Sequence, residues 1–240
     1  MSGRVNGITV GSATHRGLVR KENEDAIAVG ATGALWAVAD GMGGHARGAW
    51  AASTIAHAID ATITTGNLHA DCERVADVLA DANDLIVAEG TRGGGTIGST
   101  VVALLLAEGR YACLWAGDSR IYLLRGGALR QLTRDHSQVE ELVSAGVLTR
   151  EQARDHPLGN VVTRAIGVAP GLAIDVAEDA AYAGDLFLLC SDGLTKVIED
   201  DELPAMLSGA SPQATCDTLV EAVLQRGAPD NVSVVLVRIG

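Results

Sequence analysis

Aromatic residues are scarce, with three Trp, three Tyr and one Phe making up 3% of the 240-residue chain. With apolar residues at 48%, a core has to be built from Ala, Val, Leu and Ile, and the balance is that of a globular chain, not a disordered one. Positive charge is scarce too: 18 Lys and Arg stand against 30 Asp and Glu, a net charge of −12. That deficit argues against nucleic acid and anionic membranes as partners, because both are bound through clustered Lys and Arg. Paired cysteines are missing. Cys72, Cys113, Cys190 and Cys216 are far apart and form no C-x-x-C, so zinc and thiol redox chemistry give way to small buried hydrophobes of a reducing compartment. Long apolar runs are missing as well. The longest, Val101-Val102-Ala103-Leu104-Leu105-Leu106-Ala107, falls far below the ~20 residues that span a bilayer, and the first residues carry no apolar signal segment. The expectation is a soluble, cytoplasmic protein forming one domain over residues 1–240, without linker, repeat or low-complexity tract.

The chain does have carboxylates at the ends of apolar runs. Asp40 follows Leu35-Trp36-Ala37-Val38-Ala39, Asp118 comes shortly after Ala112-Cys113-Leu114-Trp115-Ala116, and Asp192 shortly after Leu186-Phe187-Leu188-Leu189-Cys190. Asp230 opens the run 232–237, and Glu24 and Asp25 close the polar stretch that starts at Arg20. Strand ends are rigid, and the glycines beside Asp40, Asp118 and Asp192 allow backbone or ligand to approach closely. Carboxylates gathered there repel one another unless a cation neutralises them. The economical reading is a centre of hard divalent ions, Mg²⁺ or Mn²⁺, held by oxygen. A phosphate-loop look-alike, Gly93-x-x-x-x-Gly98-Ser99-Thr100, carries Ser99 where such a loop needs Lys. It also precedes a strand instead of following one, which argues against an NTPase.

Several segments fall in one order along nearly the whole chain: Arg20-x-x-Asn23-Glu24-Asp25, Val38-Ala39-Asp40-Gly41-Met42-Gly43-Gly44-His45, Gly98-Ser99-Thr100, Gly117-Asp118-Ser119-Arg120, Leu132-Thr133-x-Asp135-His136-Ser137, Ser191-Asp192-Gly193-Leu194 and Asp230-Asn231. Each alone is weak, since Asp-Gly usually marks a turn. Together they resemble the metal-dependent Ser/Thr protein phosphatases of the PPM/PP2C family in their bacterial form. The resemblance implies that Asp40 bridges two tightly bound Mn²⁺ or Mg²⁺ ions, that the Gly41 carbonyl is also a ligand, and that Asp192 and Asp230 complete the first site. It assigns Asp118 to a third, weaker metal, and Glu24 and Asp25 to hydrogen bonds with metal-held waters. Arg20 becomes the phosphate-binding cation, because its planar fork matches phosphate oxygens. The implied chemistry is direct attack on phosphoserine or phosphothreonine by a water activated between two metals, with no covalent intermediate. Animal relatives often carry a His directly after the Asp-Gly, proposed as general acid. Met42 holds that place here, so water at the metals is preferred to His45 for that proton. His136 reads as a structural anchor.

Periodicity places strands at 8–14, 26–30 and 34–39, helices at 46–64 and 71–89, and a Gly-rich connector at 91–96. Further strands follow at 99–107, 110–116, 120–125 and 128–132, paired through the turn signals Glu108-Gly109 and Gly126-Gly127. Capping boxes start at Ser137 and Thr149. Strands at 172–176, 185–190 and 232–239 and a helix at 211–226 finish the chain. No βαβ repeat appears, which points to an α+β fold with two antiparallel sheets flanked by helices. The resemblance implies a four-layer αββα sandwich with its metals at one edge, and a flap over about 135–168. Bacterial relatives often read His-Pro-x-Arg-Asn in that flap, where this chain has His156-Pro157-Leu158-Gly159-Asn160. The implied partners are phosphorylated proteins, substrates of a Ser/Thr kinase, met by a monomer. Two alternatives are a phosphatase of the same fold within a sigma-factor partner switch and a non-catalytic relative that only binds phosphoproteins. The second is disfavoured because every ligand carboxylate is present.

Overall fold

The computed structural model describes residues 7–44, 46–154, 156–209 and 211–240. In chain order the elements are β1 Ile8–His15, β2 Asp25–Val29, β3 Leu35–Met42, α1 Ala46–Asp60, α2 Leu68–Arg92, β4 Gly98–Ser99, β5 Val101–Ala107, β6 Arg110–Ala116, β7 Arg120–Arg125 and β8 Ala128–Gln131. They continue with α3 Gln138–Ser144, α4 Arg150–Arg154, β9 Asp175–Ala180, β10 Leu186–Cys190, α5 Asp192–Thr195, α6 Leu203–Met206, α7 Pro212–Gln225 and β11 Val232–Ile239. One sheet has the order β1-β11-β10-β7-β8; the other runs β2-β3-β5-β6-β9, with β4 added on β3. Strand pairing is antiparallel in both sheets, as expected.

Three apolar layers hold these elements together. Leu35, Ala37 and Ala39 of β3 face α1 and α2, while Trp36 and Val38 of the same strand face the other sheet. β11 repeats the pattern, with Val232, Val234 and Leu236 against Leu219 and Val223 of α7, and Val235, Val237 and Ile239 between the sheets. Strands buried on both faces have no polar alternation, so they read in sequence as unbroken apolar runs. Each fully buried Val or Leu contributes roughly 1.5–3 kcal/mol. The scarcity of aromatics shapes the helix side. Ala51, Ala52 and Ala56 of α1 join a layer with Ala37, Ala39 and Ala103, and such small side chains let a helix lie close on a sheet. Trp36, Tyr111, Trp115 and Phe187 go between the sheets, where Tyr111 and Phe187 meet edge to face at 5.0 Å.

The two predicted hairpin turns have positive φ at all four residues, Glu108, Gly109, Gly126 and Gly127, as two-residue turns matched to strand twist require. Thr149 and Gln152 close a full capping box, each side chain taking the other's backbone N–H. Other boundaries move. α1 stops at Asp60, not 64. α2 starts at Leu68, because the Asn67 side chain caps it through Ala70 N–H, while buried Asp71 accepts hydrogen bonds from Thr65 and Gly66 and ties down the preceding loop. α2 also consumes the first two residues of the expected connector, ending at Arg92. The strand expected at 172–176 lies at Asp175–Ala180. Leu172 and Ile174 pack on the helix-side core without joining the ladder, and the register with β6 starts at Asp175 opposite Trp115. Among the described residues no helix is long and apolar enough to cross a membrane.

Candidate active site

β3 does not end at Ala39. Gly98 and Ser99 pair with Met42 and Gly41 and carry the strand through Asp40 to Met42. Asp40 therefore sits inside a strand, directly opposite Asp25 of β2. Like charges facing each other across a ladder are destabilising. Thr100, in the break between β4 and β5, donates its N–H to the Asp40 carbonyl (2.9 Å) and bonds Ser119, the neighbour of Asp118, through its hydroxyl (2.7 Å). The Gly98-Ser99-Thr100 segment thus couples the Asp40 strand to the Asp118 turn.

Close backbone approach explains the glycines. A Cβ on Gly41 would lie 2.2 Å from the Gly48 carbonyl oxygen in α1 and 2.6 Å from that of Glu24. A Cβ on Gly193 would lie 1.8 Å from the carbonyl oxygen of Asn231. That contact brings the first turn of α5, with Asp192, against the segment that carries Asp230. Neither glycine has positive φ; they are there for room, not for a turn.

All five aspartates reach one edge of the sandwich, and Asp40 is acted on by the charges of Asp25, Asp192, Asp118 and Asp230. Burial, with those charges added, raises the Asp40 carboxyl well above the ordinary range. Burial pushes Asp25 up to about 7 despite hydrogen bonds with Ser191 and Ser233, and pushes Asp118 up to about 7 with Asp192 next in effect. Asp25 Oδ2 accepts from Ser191 Oγ at 2.8 Å. Its Oδ1, and Oδ1 of Asp192, are buried without a hydrogen-bond partner.

Two cations meet this edge. Arg20 sets its guanidinium on both oxygens of Asp230, at 2.9 Å each, with its side chain 55% exposed. Lys196 lies 2.5 Å from Asp192 Oδ2 and 3.4 Å from Asp230 Oδ2. Burial lowers the Lys196 pKa, but Asp192, Asp230 and Asp118 raise it more, so it stays charged. The sequence motifs do not single out Lys196. The one signal for it in the chain is its spacing, four residues after Asp192 at a helix start. Nor do they mark Asn231 as an organiser. Its Oδ1 accepts from Glu24 N–H at 2.8 Å, and its Nδ2 donates to the carbonyls of Arg16 and Glu22 at 2.9 Å. One buried amide thereby shapes the loop that carries Arg20. The Glu24 carboxylate lies against Gly48, where a Cβ would be 2.0 Å from Oε2.

His136 is the anchor expected. Its ring stacks on Trp115 with centroids 6.1 Å apart, Nδ1 accepts from Gly117 N–H at 3.1 Å, and Nε2 lies 3.2 Å from Asp175. Burial lowers its pKa, in keeping with a neutral ring whose Nδ1 is an acceptor. Its backbone also bonds Gly117 and Thr163, pinning both ends of the excursion that holds α3 and α4. Between that excursion and the acidic edge runs a cleft of about 330 Å³, reached by Asp118, Asp192, Lys196, Arg120, Gly159 and Asn160. Gly159 leaves its part of the cleft wall without a side chain. Met42 ends β3 beside Gly98, and His45 lies outside the described residues.

The donor set fits a hard divalent ion. It is all oxygen, mutually repelling, and includes buried acceptors that no donor reaches. Among the described residues no three acidic, His or Cys side chains are gathered round one point; Asp192 pairs with Lys196, and Asp230 with both Arg20 and Lys196.

The protein phosphatase 2C family matches residues 12–237. The Ser/Thr protein phosphatase PstP of Mycobacterium tuberculosis is 38% identical over 229 residues, which is 92% of this chain and 43% of PstP. The chain thus spans less than half the length of that relative. A solved structure of PppA, described as a key regulatory component of T6SS in Pseudomonas aeruginosa, superposes with a TM-score of 0.90 at 42% identity, covering 97% of this chain and 98% of that one. The catalytic domain of PstP in complex with two manganese ions superposes with a TM-score of 0.84 at 34% identity, with the same coverage. On this agreement of sequence, fold and ordered motifs, the chain belongs to the protein phosphatase 2C (PPM) family, in its bacterial form.

Proposed function

We propose that this chain is a Mn²⁺- or Mg²⁺-dependent phosphatase of phosphoserine and phosphothreonine in proteins, working as a single domain with residues 135–168 as its flap. The observation that carries the reading is the gathering of Asp25, Asp40, Asp118, Asp192 and Asp230 at one edge with two buried oxygens lacking any donor. Asp40, the Gly41 carbonyl, Asp192 and Asp230 are the residues that hold two tightly bound ions, and Asp118 marks a third, weaker position. When bound, such a centre supplies a water acidic enough to serve as nucleophile near neutral pH. Glu24 and Asp25 orient waters from behind; Asp25 is itself fixed by Ser191. Arg20 holds the substrate phosphate through the fork that rests on Asp230 in this structure. The kinship with PstP, and the two manganese ions in its solved catalytic domain, support the same reading.

The test is hydrolysis of p-nitrophenyl phosphate and of a phosphothreonine peptide, with Mn²⁺ and after dialysis against excess EDTA. Turnover should need the metal and should vanish in Asp40→Asn, while the circular dichroism of that variant matches the parent. Undiminished turnover in EDTA would remove the metal mechanism.

A further inference from the structure

Lys196 stands at the acidic edge without a role in the proposed function. It is placed there by construction. α5 begins at Asp192, the Lys196 N–H bonds the Asp192 carbonyl at 2.8 Å, and Leu194 and Ile198 on either side are buried in the α7-side core. The side chain is 32% exposed, less than Arg20 at 55%. Its ammonium therefore returns to the carboxylate one turn earlier and also comes within 3.4 Å of Asp230. Lys196, Asp192 and Asp118 face the same cleft. An ammonium and a hydrated divalent ion are drawn by the same carboxylates, and the two cannot occupy one place at the same time.

We propose that Lys196 is a tethered cation competing for the third, weaker metal position, so that a metal ion reaches Asp118 and Asp192 there only by displacing its ammonium. This rests on the two-ion reading above. It makes Lys196 a residue that sets metal demand: the chain carries one positive charge of its own where a third ion would otherwise be recruited from solution. Arg20 cannot do this, because it approaches Asp230 alone, from the solvent side.

Mn²⁺ titration by calorimetry, paired with the Mn²⁺ paramagnetic resonance signal, tests it without reference to turnover. The proteins are the parent, Lys196→Gln, Lys196→Arg, and Lys196→Gln combined with Asp118→Ala. The parent should bind two ions tightly and a third only at high concentration. Lys196→Gln should lower the third midpoint by about tenfold or more, the scale of one charge-assisted contact. Lys196→Arg should keep the midpoint high, and the double variant should lose the gained site. If two tight sites are present throughout but Lys196→Gln leaves the third midpoint where it was, Lys196 is only a helix-surface ion pair and the inference falls alone. It falls in the same way if the gained site survives Asp118→Ala. If no protein binds two ions tightly, the two-ion reading fails and takes this inference with it.

Discussion

Asn231 shows how one side chain can organise a site it does not chemically join. Its amide satisfies one N–H and two carbonyls of residues 16–24, and it is buried. Replacing it leaves those groups facing a gap, at a cost of about 1–3 kcal/mol for each one left unsatisfied. Asn231→Ala should therefore lower the urea midpoint and also reduce kcat/KM, because the loop carrying Arg20 loses its fixed shape. A variant with full stability and full activity would show that water replaces the amide. Arg20 itself should behave differently. With its side chain 55% exposed, Arg20→Ala should hardly change stability, since exposed ion pairs are worth ~0–1 kcal/mol. Its effect belongs to substrate: kcat/KM should fall roughly tenfold to a hundredfold and inhibition by inorganic phosphate should weaken. Unchanged phosphate inhibition would dismiss Arg20 as the anchor.

At the scale of elements, the site is a meeting of strand ends and one short helix. The four residues of α5 are too few for a helix to be stable alone. It is held by Leu194 and Ile198 in the core beneath α7 and by the backbone contact at Gly193. Gly193→Ala would put a methyl 1.8 Å from a carbonyl oxygen, so backbone must move. We expect a loss of about 1–3 kcal/mol from overpacking, together with weaker Mn²⁺ binding, because Asp192 and Asp230 sit on the two pieces forced apart. Chemical denaturation and Mn²⁺ calorimetry on the same variant check both halves. Loss of stability with metal affinity intact would mean that the carboxylates are positioned independently of this contact.

At the scale of the whole molecule, the packing of two sheets collects acidic side chains that repel one another in the metal-free protein. Folding thus stores a repulsion that a cation relieves, and metal should act as a stabilising ligand. Binding at a hundredfold excess over Kd adds about 2.7 kcal/mol per site. At roughly 2–4 °C per kcal/mol for a chain of this size, filling the two tight sites with Mn²⁺ should raise Tm by on the order of 10–20 °C, and EDTA should reverse it. A thermal melt indifferent to Mn²⁺ would contradict the centre.

Most of the frame is legible in the chain's local patterns. Apolar runs, two turn signals with the required backbone at Glu108-Gly109 and Gly126-Gly127, and helix caps at Ser137, Thr149 and Ser211 are local, so they are written in adjacent residues. Asp40, Asp118 and Asp192 were legible for a related reason: Asp beside Gly after an apolar run is a local arrangement that recurs in order along the chain. The remaining features are non-local. Whether β3 stops at Ala39 or runs on to Met42 depends on Gly98 and Ser99, more than fifty residues away. Leu172 and Ile174 have the pattern of a strand, but the place in the ladder beside β6 is taken by Asp175–Ala180. The facing of Asp25 and Asp40, the clamp of Asn231 on the Arg20 loop, and the reach of Lys196 to Asp230, 34 residues further on, exist only once separate segments are brought together by the fold. A carboxylate's charge is a property of its residue, but the repulsion that calls for a cation belongs to distances that only the folded chain sets.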